Sequence, residues 1–261
     1  MDRYSSFDDY VAVKKRIYSG QGLMILNRDE EYSHSVIDDN RKIIYFTLGT
    51  PEEGNYGLIN HENEIWLSCG NKKIINRSQL KIKGEHNVSN ALAAMALADT
   101  VNVPTSTMVD VLKDFTGLQH RCQLVRKINN VSWYNDSKAT NVEACIASIK
   151  GLSAFGNIIL IAGGDSKEAD LSGLHSVIKK YVKKVFLLGI DANRLVNVIG
   201  SDVEKELVKN MSEAVKGANK IADSGDLVLL APACSSLDMY INYQQRGDAF
   251  ITAVNALSND V

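Results

Sequence analysis

Two apolar runs limit what this chain can fold into: "IILIAG" at 158–163 and "LVLLAP" at 227–232. Neither alternates apolar with polar side chains, as a strand with one wet face does. A strand without alternation is covered on both faces, which is the habit of parallel strands. Two further strand signals, "VSWYND" (131–136) and "KKVFLLG" (183–189), lie among segments with helical spacing. Those segments are "VEACIASIKGL" (142–152), "LSGLHSVIKKYV" (171–182), "DANRLVNVI" (191–199), "MSEAVKGANKIA" (211–222) and a last one near 240–257. Strand–helix alternation of this kind predicts an α/β fold with a doubly wound parallel sheet.

The residues before "TGLQHRCQ" have another character. "DDYVAVKKRIY" (8–18) predicts an amphipathic helix with Tyr10, Val13 and Ile17 on one face. "GLMILNRD" (22–29) and "KIIYFTLGT" (42–50) predict strands. Alternation in "NEIWLSC" and "QLKIK" predicts an antiparallel pair or small meander within 54–83. Helices are expected over 87–101 and over 105–115, the second with a Thr or Ser cap. A boundary near 117–119 divides the chain into 1–117 and 118–261. At 261 residues it has length enough for two ordinary domains.

Bulk properties exclude some function classes. The net charge of -2 leaves no electrostatic footprint for nucleic acid and no basic face for a membrane. No apolar run reaches the ~20 residues of a membrane span, and the polar start "MDRYSSFDDY" is not a signal peptide. Cys69, Cys122, Cys145 and Cys234 are widely spaced, with no CxxC. Reduced thiols in a cytoplasmic protein are the expectation.

In an open α/β sheet, ligands bind beyond the carboxyl ends of the strands. Three strands here end in polar clusters: "NDSKATN" (135–141), "GGDSKEAD" (163–170) and "PACSSLD" (232–238). They supply Lys138, Lys167, and Ser235 with Ser236. Two ammonium groups and several hydroxyls on one rim suit a small substrate bearing carboxylates. Asp136 and Asp165 would orient the lysines or bind sugar hydroxyls. Each cluster alone has a plainer reading: a solvated lysine, a Gly-rich turn, a serine capping the next helix. In the first part, "GEHNVSNALAA" sets His86, Asn87 and Asn90 at a helix start. The two Asn share a face and suit the edge of adenine or a cap. Arg121, in "QHRCQ", is placed for a nucleotide or for a salt bridge.

In order and spacing, "GEHNVSNALAA", "FTGLQHRCQ", "WYNDSKATN", "IAGGDSKEAD" and "LLAPACSSLDMYINYQQRGDAF" resemble the Mur ligases over essentially the whole chain. "NDSKATN" points to the member that adds D-glutamate to UDP-N-acetylmuramoyl-L-alanine in cytoplasmic peptidoglycan synthesis. The resemblance implies the rear part of a P-loop-type central ATPase domain (1–117). A Rossmann-like, amino-acid-binding domain (118–261) follows it. It implies ATP and Mg2+ as cofactors, an acyl-phosphate intermediate, and attack on it by the D-glutamate amine. By resemblance, Asn87 and Asn90 contact adenine, and Arg121 and Asp136 the ribose and nucleotide, with His120 in the same motif. Lys138, Thr140, Lys167, Ser236 and Tyr243 form the D-glutamate pocket, Tyr243 standing where Phe is common. The catalytic set is Lys14, His120 and Lys138. Lys14, identified by its Tyr-x-x-x-Lys spacing, would be a magnesium ligand once carbamylated.

The chain also departs from that family. A P-loop ends in Gly-Lys-Ser/Thr, and the dipeptide Gly-Lys occurs nowhere here. The expectation is therefore a C-terminal part of such a ligase, with a further N-terminal chain as partner and no turnover by itself. Two alternatives stay open: a related folylpolyglutamate-type ligase, and a non-catalytic binding module on the same fold.

Overall fold

The computed structural model describes residues 6–37, 40–82 and 84–258, the side chains of Phe7 and His34 excepted. By Cα proximity the chain separates into two compact units, Met1–Phe115 and Thr116–Val261.

The first unit begins with α1 (Phe7–Lys15) and a short 3-10 turn (Arg16–Tyr18), then β1 (Met24–Asn27), α2 (Glu31–His34) and β2 (Ile43–Phe46). A meander follows: β3 (Tyr56–His61), β4 (Glu64–Cys69) and β5 (Lys72–Asn76). Two helices close the unit, α3 (Glu85–Asp99) and α4 (Thr105–Asp114). The sheet order is β1-β2-β3-β4-β5, parallel from β1 to β3 and antiparallel thereafter. Glu62 and Asn63, both with positive φ, make the two-residue turn between β3 and β4, the geometry that suits a twisted hairpin. Ile44, Tyr56, Leu67 and Ile75 of the sheet pack with Val88, Leu92 and Met95 of α3 and Met108 and Leu112 of α4.

A meander within 54–83 and helix α3 lie where the sequence predicts them, but "QLKIK" supplies no strand of it: β5 ends at Asn76, Arg77–Gln79 turn as a 3-10 helix, and Leu80–Ile82 lie outside any strand. Two further local expectations do not hold. Pro104 is the N-cap of α4 and Thr105 is already helical, so no side chain caps it. The expected apolar face of α1 is not buried: Val13 and Ile17 are exposed, and the helix tightens after Lys15 before Ile17 can join that face.

The second unit starts with a hairpin of β6 (Gln123–Ile128) and β7 (Val131–Asn135), joined by Asn129 and Asn130, both left-handed. Then come α5 (Val142–Leu152), β8 (Ile158–Gly163), α6 (Leu174–Tyr181), β9 (Val182–Leu188), α7 (Ala192–Ile199), β10 (Glu204–Leu207), α8 (Met211–Ile221), β11 (Leu227–Leu230) and α9 (Tyr243–Asn255). The sheet order is β10-β9-β8-β11-β7-β6, parallel except for edge strand β6. Every residue of β8 and β11 is buried. Ile158, Leu160, Leu227 and Leu229 face α5, α6 and α7, while Ile159, Ile161, Val228 and Leu230 face α8 and α9. The sheet is therefore doubly wound, as its non-alternating runs require. Strands β6 and β10 have no counterpart in the sequence reading.

Candidate functional site

The carboxyl ends of β7, β8 and β11 are neighbours in the sheet, and all three polar clusters sit there. The chain turns sharply at each. After β8, a Cβ on Gly163 would lie 1.9 Å from the Leu188 carbonyl oxygen, and one on Gly164 2.0 Å from that of Ser235. Only glycine fits either position, and both have positive φ. The freed backbone then makes a single antiparallel bridge: Asp165 N–H donates to Ser235 O (3.0 Å), and Ser235 N–H to Asp165 O (2.8 Å).

One buried cation laces the three loops. Arg246, on α9, is 2% exposed. Its Nε donates to Ser137 Oγ (3.0 Å), Nη2 to Ser137 O (2.9 Å), and Nη1 to Cys234 O (3.1 Å) with Gly163 O at 3.5 Å. None of those acceptors is a carboxylate, and burial pulls the guanidinium down to about 10. Arg246 escaped the sequence reading. Its signal was there: Arg246, Phe250 and Val254 share spacing and burial on the inner face of α9.

His120 is equally fixed. It is 5% exposed, with Nδ1 3.1 Å from Asn135 Nδ2 and Nε2 3.7 Å from Asp248 Oδ1. Its carbonyl accepts from Lys138 N–H (3.0 Å), and its ring stands edge-on to Tyr243. A Cβ on Gly247 would lie 2.2 Å from His120 Nδ1, so the ring fills the space that glycine leaves. These contacts make His120 a support for the Lys138 turn. Lys138 Nζ lies 4.2 Å from the Tyr243 ring centroid, a cation–π contact. Thr140 N–H donates to Lys138 O (2.8 Å). Asp136 is buried, accepts a hydrogen bond from Ser148 Oγ, and starts the turn by accepting Ala139 N–H (2.9 Å).

Lys167 is exposed and lines an open cavity of about 670 Å³ with Asp165, Asp191, Arg194, Leu237 and Asp238. Lys138, Thr140, Ser236 and Tyr243 are not among its lining residues. Ser236 is buried, and its carbonyl accepts from Met239 and Tyr240 N–H. Neither Ser235 nor Ser236 caps α9, whose N-cap is Asn242, accepting Gln245 N–H at 2.8 Å. Arg121 is exposed on a turn between His120 and Cys122, both left-handed. Burial pushes the Cys122 thiol up to about 12, far from a reactive thiolate.

In the first unit, Asn87 is half-buried and Asn90 exposed, on the first turns of α3. Gly84 is the N-cap, so neither Asn is the cap residue itself. Exposed Lys14 lies 5.3 Å from the Tyr10 ring centroid, in a groove with Val13, Ile17, Tyr32 and Val36. Among the described residues no carboxylate lines that groove, and no group of three or more His, Cys, Asp or Glu could hold a metal ion. As they stand, these side chains do not fit a magnesium site. No described helix is long and apolar enough to cross a membrane.

Two family profiles match the chain: "Mur ligase middle domain" over residues 1–98 and "Mur ligase, glutamate ligase domain" over 120–234. The UDP-N-acetylmuramoylalanine–D-glutamate ligase of Nitrosococcus oceani is 44% identical over 257 residues, 98% of this chain and 57% of that one. The protein of the same name from Pseudomonas aeruginosa is 42% identical over 260 residues, 99% of this chain and 58% of its own length. This chain thus spans just over half the length of such relatives. Among solved structures, the UDP-N-acetylmuramate–alanine ligase of Thermotoga maritima superposes with a TM-score of 0.66 at 17% identity, covering 97% of this chain and 56% of that one. At that identity the likeness speaks for the fold. Two adjoining profiles and relatives above 40% identity speak for more: this chain belongs to the Mur ligase family, of which it carries the middle domain and the glutamate ligase domain.

Proposed function

We propose that this chain is the amino-acid-binding part of a cytoplasmic ligase that joins D-glutamate to UDP-N-acetylmuramoyl-L-alanine in peptidoglycan synthesis. The observation that carries the reading is the laced rim: Arg246 and the Asp165–Ser235 bridge hold three neighbouring strand ends in one frame. Lys138, Thr140, Lys167 and Ser236 all belong to those three loops, Lys167 exposed and Ser236 buried, and the Tyr243 ring lies against Lys138. Two ammonium groups and two hydroxyls match a dicarboxylate, each as a charge-assisted or ordinary hydrogen bond. Preorganisation matters because a bond-forming amine must be held in line with its target.

In this reading ATP supplies the phosphoryl group that activates the muramoyl-alanine carboxylate. The glutamate amine then bonds to the carbonyl carbon, and phosphate leaves. Asn87 and Asn90 would take the adenine edge, and Arg121 and Asp136 the ribose. His120 serves by positioning Lys138. The roles proposed for this chain's residues are binding and orientation. With no Gly-Lys dipeptide in the chain, and no metal-ligand cluster among the described residues, these residues alone bind without turnover. An N-terminal partner segment would complete the reaction.

The test is thermal unfolding with D-glutamate, L-glutamate and ADP, alongside Lys138→Ala and Lys167→Ala. A ligand that binds only the folded chain raises its melting temperature. The expected result is a D-selective rise lost in both variants. A preference for L-glutamate would move the reading to a polyglutamylating ligase. No rise from a folded protein would refute amino-acid binding by this stretch.

A further inference from the structure

Lys167 stands on a backbone that its own sequence does not favour. Lys167 and Glu168 both have positive φ, +50° and +60°. Outside a two-residue hairpin, where strand pairing itself imposes the conformation as at Glu62–Asn63 and Asn129–Asn130, two consecutive left-handed residues without a glycine persist only when their surroundings over-determine them. The surroundings here are specific. Lys167 N–H donates to Asp165 Oδ1 at 2.8 Å. Ser166 donates both its N–H (2.8 Å) and its Oγ–H (2.6 Å) to Asp191 Oδ2. Arg194 closes the set, with Nη1 on Ser166 Oγ, Nη2 donating to Ala169 O at 3.0 Å, and Nη1 3.8 Å from Asp191 Oδ2.

The position of Asp191 shows what its carboxylate is for. Asp191 is the N-cap of α7, where an aspartate ordinarily accepts an N–H from its own helix. It makes no such bond. It reaches across to the loop after β8 instead. The two loops also touch through backbone: Asp191 N–H donates to Gly164 O (3.1 Å), and a Cβ on Gly189 would lie 2.5 Å from Gly164 Cα. The bonds from Ser166 are the main cause that holds the Asp191 carboxyl below the ordinary carboxylate range, with Arg194 adding to it.

We infer that Asp191 and Arg194, with Ser166 between them, form a latch that positions Lys167 by holding its loop in the left-handed conformation. The latch rests on geometry alone. Its value for glutamate rests on the function proposed above.

Hydrogen exchange tests the latch without any ligand. The amides of Ser166 and Lys167 are compared in the wild-type chain and in Asp191→Ala, Asp191→Asn, Arg194→Ala and Ser166→Ala. The expected result is exchange at both amides about tenfold faster or more in Asp191→Ala, with β8 and β11 unchanged. Asn keeps an acceptor oxygen, so Asp191→Asn should restore much of the protection. D-glutamate affinity should fall in Asp191→Ala and Arg194→Ala with little change in melting temperature, which a merely structural role would not produce. Unchanged exchange at Ser166 and Lys167 in Asp191→Ala and Arg194→Ala overturns the latch. Faster exchange in a chain whose wild type ignores D-glutamate keeps the latch and discards the glutamate reading. If Asp191→Ala does not fold, Ser166→Ala, the mildest change, decides in its place: faster exchange at Lys167 supports the latch and unchanged exchange overturns it.

Discussion

The two ends of the six-stranded sheet are both rich in charge, but they use it differently. At the amino end, Asp226 is 2% exposed and surrounded by donors: Lys183 Nζ at 2.9 Å, Asn157 Nδ2 at 3.2 Å and Asp223 N–H at 3.0 Å. Lys183 also reaches Asp223 at 2.6 Å. Charge there is closed on itself. At the carboxyl end the buried cation, Arg246, spends its donors on loop carbonyls and one hydroxyl, while Lys167 lines an open cavity. A structural ion cluster satisfies its own members. At the rim the buried cation is spent on holding the loops, and an exposed lysine lines the cavity that these loops border.

That contrast can be broken or sharpened by substitution. The largest effect should come from Arg246→Ala. It takes the guanidinium donors from three loop carbonyls, while the Ser137 hydroxyl keeps its bond to Tyr243 O (2.8 Å), so a loss of about 3 kcal/mol or more is expected in urea unfolding. A loss below about 1 kcal/mol would mean that the loops do not depend on their lace.

Gly247→Ala comes next. Its methyl group must displace the buried His120 ring, at an expected cost of about 1–3 kcal/mol. His120→Ala in the same chain should recover part of that loss if the clash is the cause, which a double-mutant cycle measures.

Asp226 gives a smaller effect that depends on pH. Burial alone would raise its carboxyl, but the bonds from Asp223 N–H, Lys183 and Asn157 override it and lower it. A lowered carboxylate contributes stability that is present above the unfolded value of about 3.9 and is lost as pH falls through the folded value. Asp226→Asn should therefore lower the urea midpoint at pH 7, and the gap to wild type should narrow at acid pH. A gap constant with pH would remove the charge from the account.

The smallest effect on stability should be that of Lys167→Ala. This side chain is exposed, so its loss should fall within about 0.5 kcal/mol while D-glutamate binding fails. A large destabilisation would make Lys167 a support and erase the contrast between frame and working group.

Much of the frame was legible in the sequence, for identifiable reasons. Strands β8 and β11 announce themselves because a strand covered on both faces leaves no polar gap. Helix α5 has its Asn141 cap directly before an amphipathic run. Strand β6 did not announce itself, because Arg126 and Lys127 break its apolar signal and its hairpin turn uses Asn129–Asn130 in place of a glycine. Edge strand β10 is "EKEL", with no covered face to mark it. For the site, polar clusters at strand ends revealed which loops matter, but not what ties them. Arg246 reads as one more charged helix residue until its spacing with Phe250 and Val254 is counted. The latch links residues 166 and 191–194, a pairing that only the fold creates. Lys14 was singled out by resemblance, and the described residues that line its groove are apolar side chains, tyrosines, Ser33 and Lys15, none of them a carboxylate.

The central claim is that the carboxyl rim of the second sheet is a preorganised receptor for a dicarboxylic amino acid. The most direct measurement is an NMR titration of the labelled chain with D-glutamate, following backbone amides. The account predicts saturable shifts centred on Lys138, Thr140, Lys167 and Ser236, with Asp226 and its neighbours at the amino end unmoved. Shifts centred on the amino end, or none at millimolar D-glutamate from a folded chain, would contradict it.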